Sequence, residues 1–137
     1  MKCRNGFTRV LASLLLMALL GGCSTSGIEA IGRPDAAEVK KHLLIHSDAL
    51  ANKITISDMR TRETAGLLEV SLTLSNLTSS DKSVAYRFSW FDADEFEVEA
   101  GTDAWTPVNL HGAQSISVQG VAPNGSVKSY RLNVKGQ

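Results

Sequence analysis

The stretch Val84-Ala85-Tyr86-Arg87-Phe88-Ser89-Trp90-Phe91-Asp92 constrains the fold of this chain more than any other. At a period of two, Val84, Tyr86, Phe88 and Trp90 fall on one side and Ala85, Arg87, Ser89 and Phe91 on the other. That is a β-strand with one heavily apolar face. Residues 86–91 hold four of the chain's eight aromatic side chains. Each aromatic buries on the order of 150–250 Å², so a domain core assembles over this face.

The flanking segments follow the same period. Ile54, Ile56 and Met59 alternate with polar residues up to Thr64, and Ala65-Gly66 marks a turn. Leu68, Val70, Leu72 and Leu74 then alternate with Glu69, Ser71 and Thr73, which reads as an antiparallel hairpin. Asn76 to Asp81 is a turn cluster leading into the aromatic strand. Beyond it come a turn at Asp92–Glu95, a short strand near Phe96–Glu99, and an extended piece at Trp105–Leu110 that Pro107 confines to a sheet edge. Ser115–Gly120 alternates around Ile116 and Val118, Ala122-Pro123-Asn124-Gly125 turns, and Tyr130, Leu132 and Val134 close the pattern. Upstream, Pro34 at a first helical position with Asp35, Glu38 and later lysines predicts a turn or two of helix, and Leu43-Leu44-Ile45 a short strand. The expected fold is all-β, an immunoglobulin-like antiparallel β-sandwich of about seven strands over residues 41–137.

Residues 1–40 read differently. Lys2, Arg4 and Arg9 precede an apolar run from Val10 to Leu20 broken only by Ser13. In a helix that run spans about 16 Å, half of a ~30 Å hydrocarbon core, so it predicts an export signal rather than a membrane span. It ends in Leu20-Gly21-Gly22-Cys23, which resembles the lipobox of bacterial lipoproteins. Cleavage would leave residues 1–22 as signal peptide and Cys23 as the lipidated first residue. Residues 23–40 then form a tether with the short helix. Two or more acyl chains, at about 0.8 kcal/mol per buried methylene, give stable anchoring to a membrane. Ser24 after the cysteine matches the pattern of enteric-type lipoproteins sorted to the outer membrane.

Losing residues 1–22 removes three basic and no acidic residues, leaving 11 basic against 14 acidic. No basic footprint for nucleic acid exists. Both cysteines, Cys3 and Cys23, fall in or at the end of the leader, so the body has no disulfide, thiolate metal site or thiol nucleophile.

Asn76-Leu77-Thr78, the Tyr86-Arg87-Phe88-Ser89-Trp90-Phe91-Asp92 string, Trp105-Thr106-Pro107 and Gly120-Val121-Ala122-Pro123-Asn124 together resemble the YcfL-like family of bacterial lipoproteins, over about Leu43 to Val134. The resemblance implies an envelope lipoprotein with one sandwich-like domain of unknown function, and no catalytic residues. In the family the turn after the Trp strand usually contains a glycine, where this chain has Asp94-Glu95. A glutamate there is costly if the turn needs positive φ.

Among individual residues, Arg87 and Phe91 stand out as an interaction surface opposite the apolar face, because arginine and aromatics are enriched at such places. The alternative is a solvated face with a cross-strand ion pair. Asp92, Asp94, Glu95, Glu97 and Glu99 lack the glycine and distal glutamate of a calcium loop and read as a soluble turn. His42 and His46 read as surface residues bracketing a buried strand, with His111 remote and no metal expected. Asn76-Leu77-Thr78 and Asn124-Gly125-Ser126 match the glycosylation sequon but read as turns.

No Gly-x-Ser-x-Gly, Gly-x-x-x-x-Gly-Lys, Gly-x-Gly-x-x-Gly or His-Glu-x-x-His occurs, so neither an enzyme nor a cofactor is expected. The expected function is a non-enzymatic module facing the periplasm that binds another envelope protein. The alternative is a periplasmic lipoprotein binding a small ligand or metal ion.

Overall fold

The computed structural model describes residues 34–137; the signal peptide, Cys23 and the tether expected upstream lie outside them. The chain runs α1 (Ala36–His42), β1 (Leu43–Ile45), β2 (Ile54–Thr64), β3 (Leu67–Asn76), β4 (Lys82–Phe91), β5 (Glu97–Val98), β6 (Thr106–Leu110), β7 (Ser115–Val121) and β8 (Ser129–Gly136). These strands form two sheets of an all-β, sandwich-like fold. One has the order β1-β8-β4, with β5 and β6 sharing the far edge of β4; the other has the order β2-β3-β7. β1 pairs with β8 in parallel, against the expectation of a wholly antiparallel fold. Three apolar residues announce a strand but carry nothing about its direction, which a partner 89 residues away decides (Leu43 opposite Leu132, Leu132 opposite Phe88).

The apolar faces meet between the sheets. Val84, Leu72, Leu74, Leu110, Leu132 and Val134 are fully buried, and Trp90 nearly so. Phe88 stacks on Trp90 with centroids 5.3 Å apart and an interplanar angle of 14°. Its ring also presses on Gly120 of β7, where an added Cβ would stand 2.8 Å from the ring. The Trp90 indole N–H finds a partner in the Asp103 carboxylate, at 3.2 Å. Among the described residues, the buried apolar side chains fall between Leu50 and Val134.

Local chemistry explains the departures from simple alternation. A strict period of two would turn Asp58 inward after Ile54 and Ile56. The ladder slips between Ile56 and Asp58, so Met59 stands opposite Leu72 and faces the core instead. Pro107 lies opposite Ala85 on the edge strand β6. The carbonyls of Ser83 and Phe91 point to the β8 side, so by alternation Ala85 does too, and no ladder bond at Pro107 is lost.

The β2–β3 turn puts Ala65 at φ 52° and Gly66 at φ 79°. The β4–β5 turn puts Glu95 at φ 65°, the left-handed position that a glycine would fill more cheaply. Asp92 offsets that cost, its Oδ1 accepting the backbone N–H of Asp94 and Phe96 at 2.9 and 3.0 Å. At the helix, Asp35 rather than Pro34 marks the start: its side chain caps the Glu38 N–H at 2.9 Å, leaving Pro34 outside.

Candidate functional site: a basic and aromatic sheet face

The outward side of the five-stranded sheet is built by period-two alternation on β4 and β8. Ala85, Arg87, Ser89 and Phe91 project from β4, and Arg131, Asn133 and Lys135 from β8, where register sets Arg87 opposite Asn133 and Ala85 opposite Lys135. The chain entering β6 brings Trp105 onto the same face. The Arg87 guanidinium lies 4.8 Å and the Lys135 ammonium 4.5 Å from the Trp105 ring centroid. A ring reached by both cations has to lie over the small Ala85 side chain between them. Ala85 is accordingly 2% exposed although it points outward. His46, just past β1, meets Trp105 edge-on at 6.0 Å.

The floor of this face is polar and well bonded. His46 Nε2–H donates to Asn133 Oδ1 at 3.0 Å, and Asn133 Nδ2 donates to Ser89 Oγ at 2.9 Å. Asn133 and Ser89 are both buried. Four residues further along β4, Phe91 carries a second cation, with Arg131 5.1 Å from its centroid. Among the described residues no carboxylate lies within 4.0 Å of Arg87, Arg131 or Lys135. Arg87 Nε is shut off from solvent with no hydrogen-bond partner. The opposite outer face differs: there Arg60 pairs with Asp58 at 2.9 Å and Arg62 pairs with Glu69.

Of the two residues singled out in the sequence, Arg87 therefore stands against Trp105 and Phe91 against Arg131, in neighbouring halves of one face. Among the described residues the cross-strand ion pair weighed for Arg87 is not formed. Trp105, Lys135, Arg131, His46 and Asn133 were not singled out as part of this face. Alternation around Leu132 and Val134 marks Arg131, Asn133 and Lys135 as one side of a strand. Which strand they lie beside is a tertiary fact.

The other candidates separate. His46 is exposed as expected, but His42 is buried, correcting the reading of both as surface residues. Its ring stacks on Tyr130 at 4.2 Å, its Nδ1–H donates to the Tyr130 carbonyl at 2.8 Å, and Glu38 stands 3.7 Å from Nε2. His111 stands alone beside Asp81 at 3.3 Å, where its hydrogen bond holds the carboxyl below the usual range. Among the described residues no three His, Cys, Asp or Glu side chains gather as a metal site. Asn76 uses its side chain internally: Nδ2 donates to the Ser80 and His111 carbonyls at 2.8 and 3.0 Å, and Oδ1 accepts from Thr78. A cleft of about 930 Å³ opens between α1, β1 and the free edge of β2, with Lys40 as its one charged side chain among the described residues.

A two-sheet domain with one charged, aromatic face is the class that fold and surface define. The chain belongs to the family described as protein of unknown function (DUF1425), which matches residues 41–136. It is similar to a crystal structure of a member of that family from Shewanella sp. pv-4, with 27% identity and a TM-score of 0.55, covering 61% of this chain and 78% of that one. The crystal structure of Campylobacter jejuni Cj0090 shares the fold, with 17% identity and a TM-score of 0.58, covering 71% of this chain and 99% of that one. No curated protein matches.

Proposed function

We propose that this chain is a lipoprotein of the bacterial envelope, anchored through acyl chains on Cys23 at the periplasmic face of the outer membrane. Its sandwich binds another envelope protein and catalyses no reaction. The anchor rests on Leu20-Gly21-Gly22-Cys23 behind a basic and then apolar leader, on Ser24, and on the resemblance to YcfL-like lipoproteins. One observation carries the binding role: Arg87 and Lys135 held against the half-buried Trp105 with no counter-charge among the described residues. Arginine and tryptophan in a partly desolvated setting are the composition of interaction hot spots.

A photo-activated cross-linker at Asn109, exposed at the rim of this face, tests the reading in native cells. One specific protein adduct is expected there and none at Ser117 on the opposite sheet. Equal or absent adducts at the two positions would sink the proposal.

The cleft beside α1 supports a second reading, small-ligand binding within it. Calorimetry with small periplasmic solutes and divalent metals distinguishes it, since heats that saturate and vanish on Ala51→Trp, at an exposed position lining the cleft, point to the cleft.

A further inference from the structure

We infer that the Arg87–Trp105 face takes an extended acidic polypeptide segment, its carboxylates seated on two cationic centres four strand residues apart. The inference rests on the reading of this face as a protein-binding surface and specifies the chemistry of the partner.

Three observations carry it. First, the cations of the two outer faces are treated differently. Arg60 and Arg62 on the three-stranded sheet are matched by Asp58 and Glu69, whereas Arg87, Lys135 and Arg131 have no carboxylate in reach among the described residues. Two cations sharing one indole repel each other, and an anion arriving between them relieves that repulsion while gaining charge-assisted hydrogen bonds. Second, Arg87 Nε is sealed with no acceptor inside the fold, which leaves the terminal guanidinium N–H groups to meet a carboxylate from outside.

Third, the cationic centres are spaced like an extended chain. Lys135 and Arg131 are four residues apart on β8, about 13 Å at strand rise, with Arg87 at the level of Asn133 between them. Acidic side chains at positions i and i+4 of an extended segment repeat at that same interval and on one side. A single small anion would use only one centre.

Two other occupants fit the face less well. An anionic bilayer would ask for a broad apolar row projecting outward, yet Trp105 is half-buried, and of the four large exposed apolar side chains among the described residues only Leu44, opposite Asn133, shares this face. A second copy could offer its own acids at 94–99, but Glu95 and Glu99 both sit at positive φ around a two-residue strand and present no extended row.

The test uses residues 31–137, a compact unit that holds the core of the described residues, and a short peptide of alternating glutamate and threonine. Saturable binding is expected by indole fluorescence and calorimetry, weakening as salt rises. In R87Q and in K135Q, checked by melting for intact folding, affinity falls by about tenfold or more, since each removes one charge from the same centre. R87K, which keeps the charge and loses the fork, should fall between R87Q and the parent. The alternating lysine–threonine peptide and phosphatidylglycerol vesicles should not bind.

Unchanged affinity in both glutamine variants overturns the inference, as does vesicle binding that R87Q abolishes or a concentration-dependent dimer that R87Q dissolves. No binding of the acidic peptide, together with a protein adduct at Asn109, removes the acidic partner and leaves the binding role standing. Loss of both removes both.

Discussion

Arg87 shows how little a residue's type says about its work until its neighbours are known. Its stem lies on a sheet face and its half-buried head on an indole, a contact of about 0.5–2 kcal/mol. R87Q should therefore cost the domain no more than about 2 kcal/mol in denaturant unfolding, while abolishing the adduct at Asn109. Trp90, three positions on, carries the opposite kind of role. It is 4% exposed and stacked on Phe88, so Trp90→Ala should cost about 3–5 kcal/mol, enough to leave a domain of this size marginal in a thermal melt. Tyr130 adds a pH dependence. Burial, with the nearby Glu38 charge, pushes its hydroxyl up to about 12 from an ordinary 10. An acid with a raised folded pKa contributes stability that is complete below the unfolded pKa and lost as pH climbs through the folded one. The denaturation midpoint should fall between about pH 10 and 12, and less so in Tyr130→Phe, measured by parallel chemical melts.

At the scale of elements, turns and close approaches decide which pairings survive. The β2–β3 hairpin turns through Ala65 and Gly66, both at positive φ, the geometry of a two-residue turn that prefers Asn-Gly. Left-handed backbone costs an alanine about 1–2 kcal/mol, so Ala65→Asn should stabilise by about 1 kcal/mol and raise the melting temperature by roughly 4–8 °C. Gly120 governs how β7 meets β4. A methyl group there would stand 2.8 Å from the Phe88 ring, and Gly120→Ala should cost about 1–3 kcal/mol, since the ring is pinned by Trp90 behind it. The β-bulge at Ser57 is of the same kind: it lets an eleven-residue strand keep Met59 inside and Asp58 out. A period-two reading includes Met59 only by skipping a position, and the slipped register is the physical reason that the skip is correct.

For the whole molecule, the proposed anchor and the described domain occupy different stretches of chain. The described core falls within residues 34–137, and the proposed attachment is at Cys23, outside them. Cys23→Ser in the full chain should shift the protein from the membrane fraction to the soluble periplasmic fraction. The melt of the folded domain should stay unchanged, because no core residue is touched. Persistent membrane association of that variant would contradict the lipid anchor. The charge layout makes sense at this scale too. A chain whose expected mature form carries more acid than base concentrates three unpaired cations on one face and pairs its arginines on the other.

The alternation of apolar and polar residues determined, by itself, that this chain is all-β, where the hairpin turns and which side of the aromatic strand is core. Those are properties of a backbone whose side chains alternate, and they need no knowledge of partners. The tertiary structure alone decided that β1 runs parallel to β8, that His42 is buried against Tyr130, and that Trp105 lies across β4 between Arg87 and Lys135. Each of these depends on which strands become neighbours, and contacts between residues 18 to 89 positions apart leave no periodic trace in the chain.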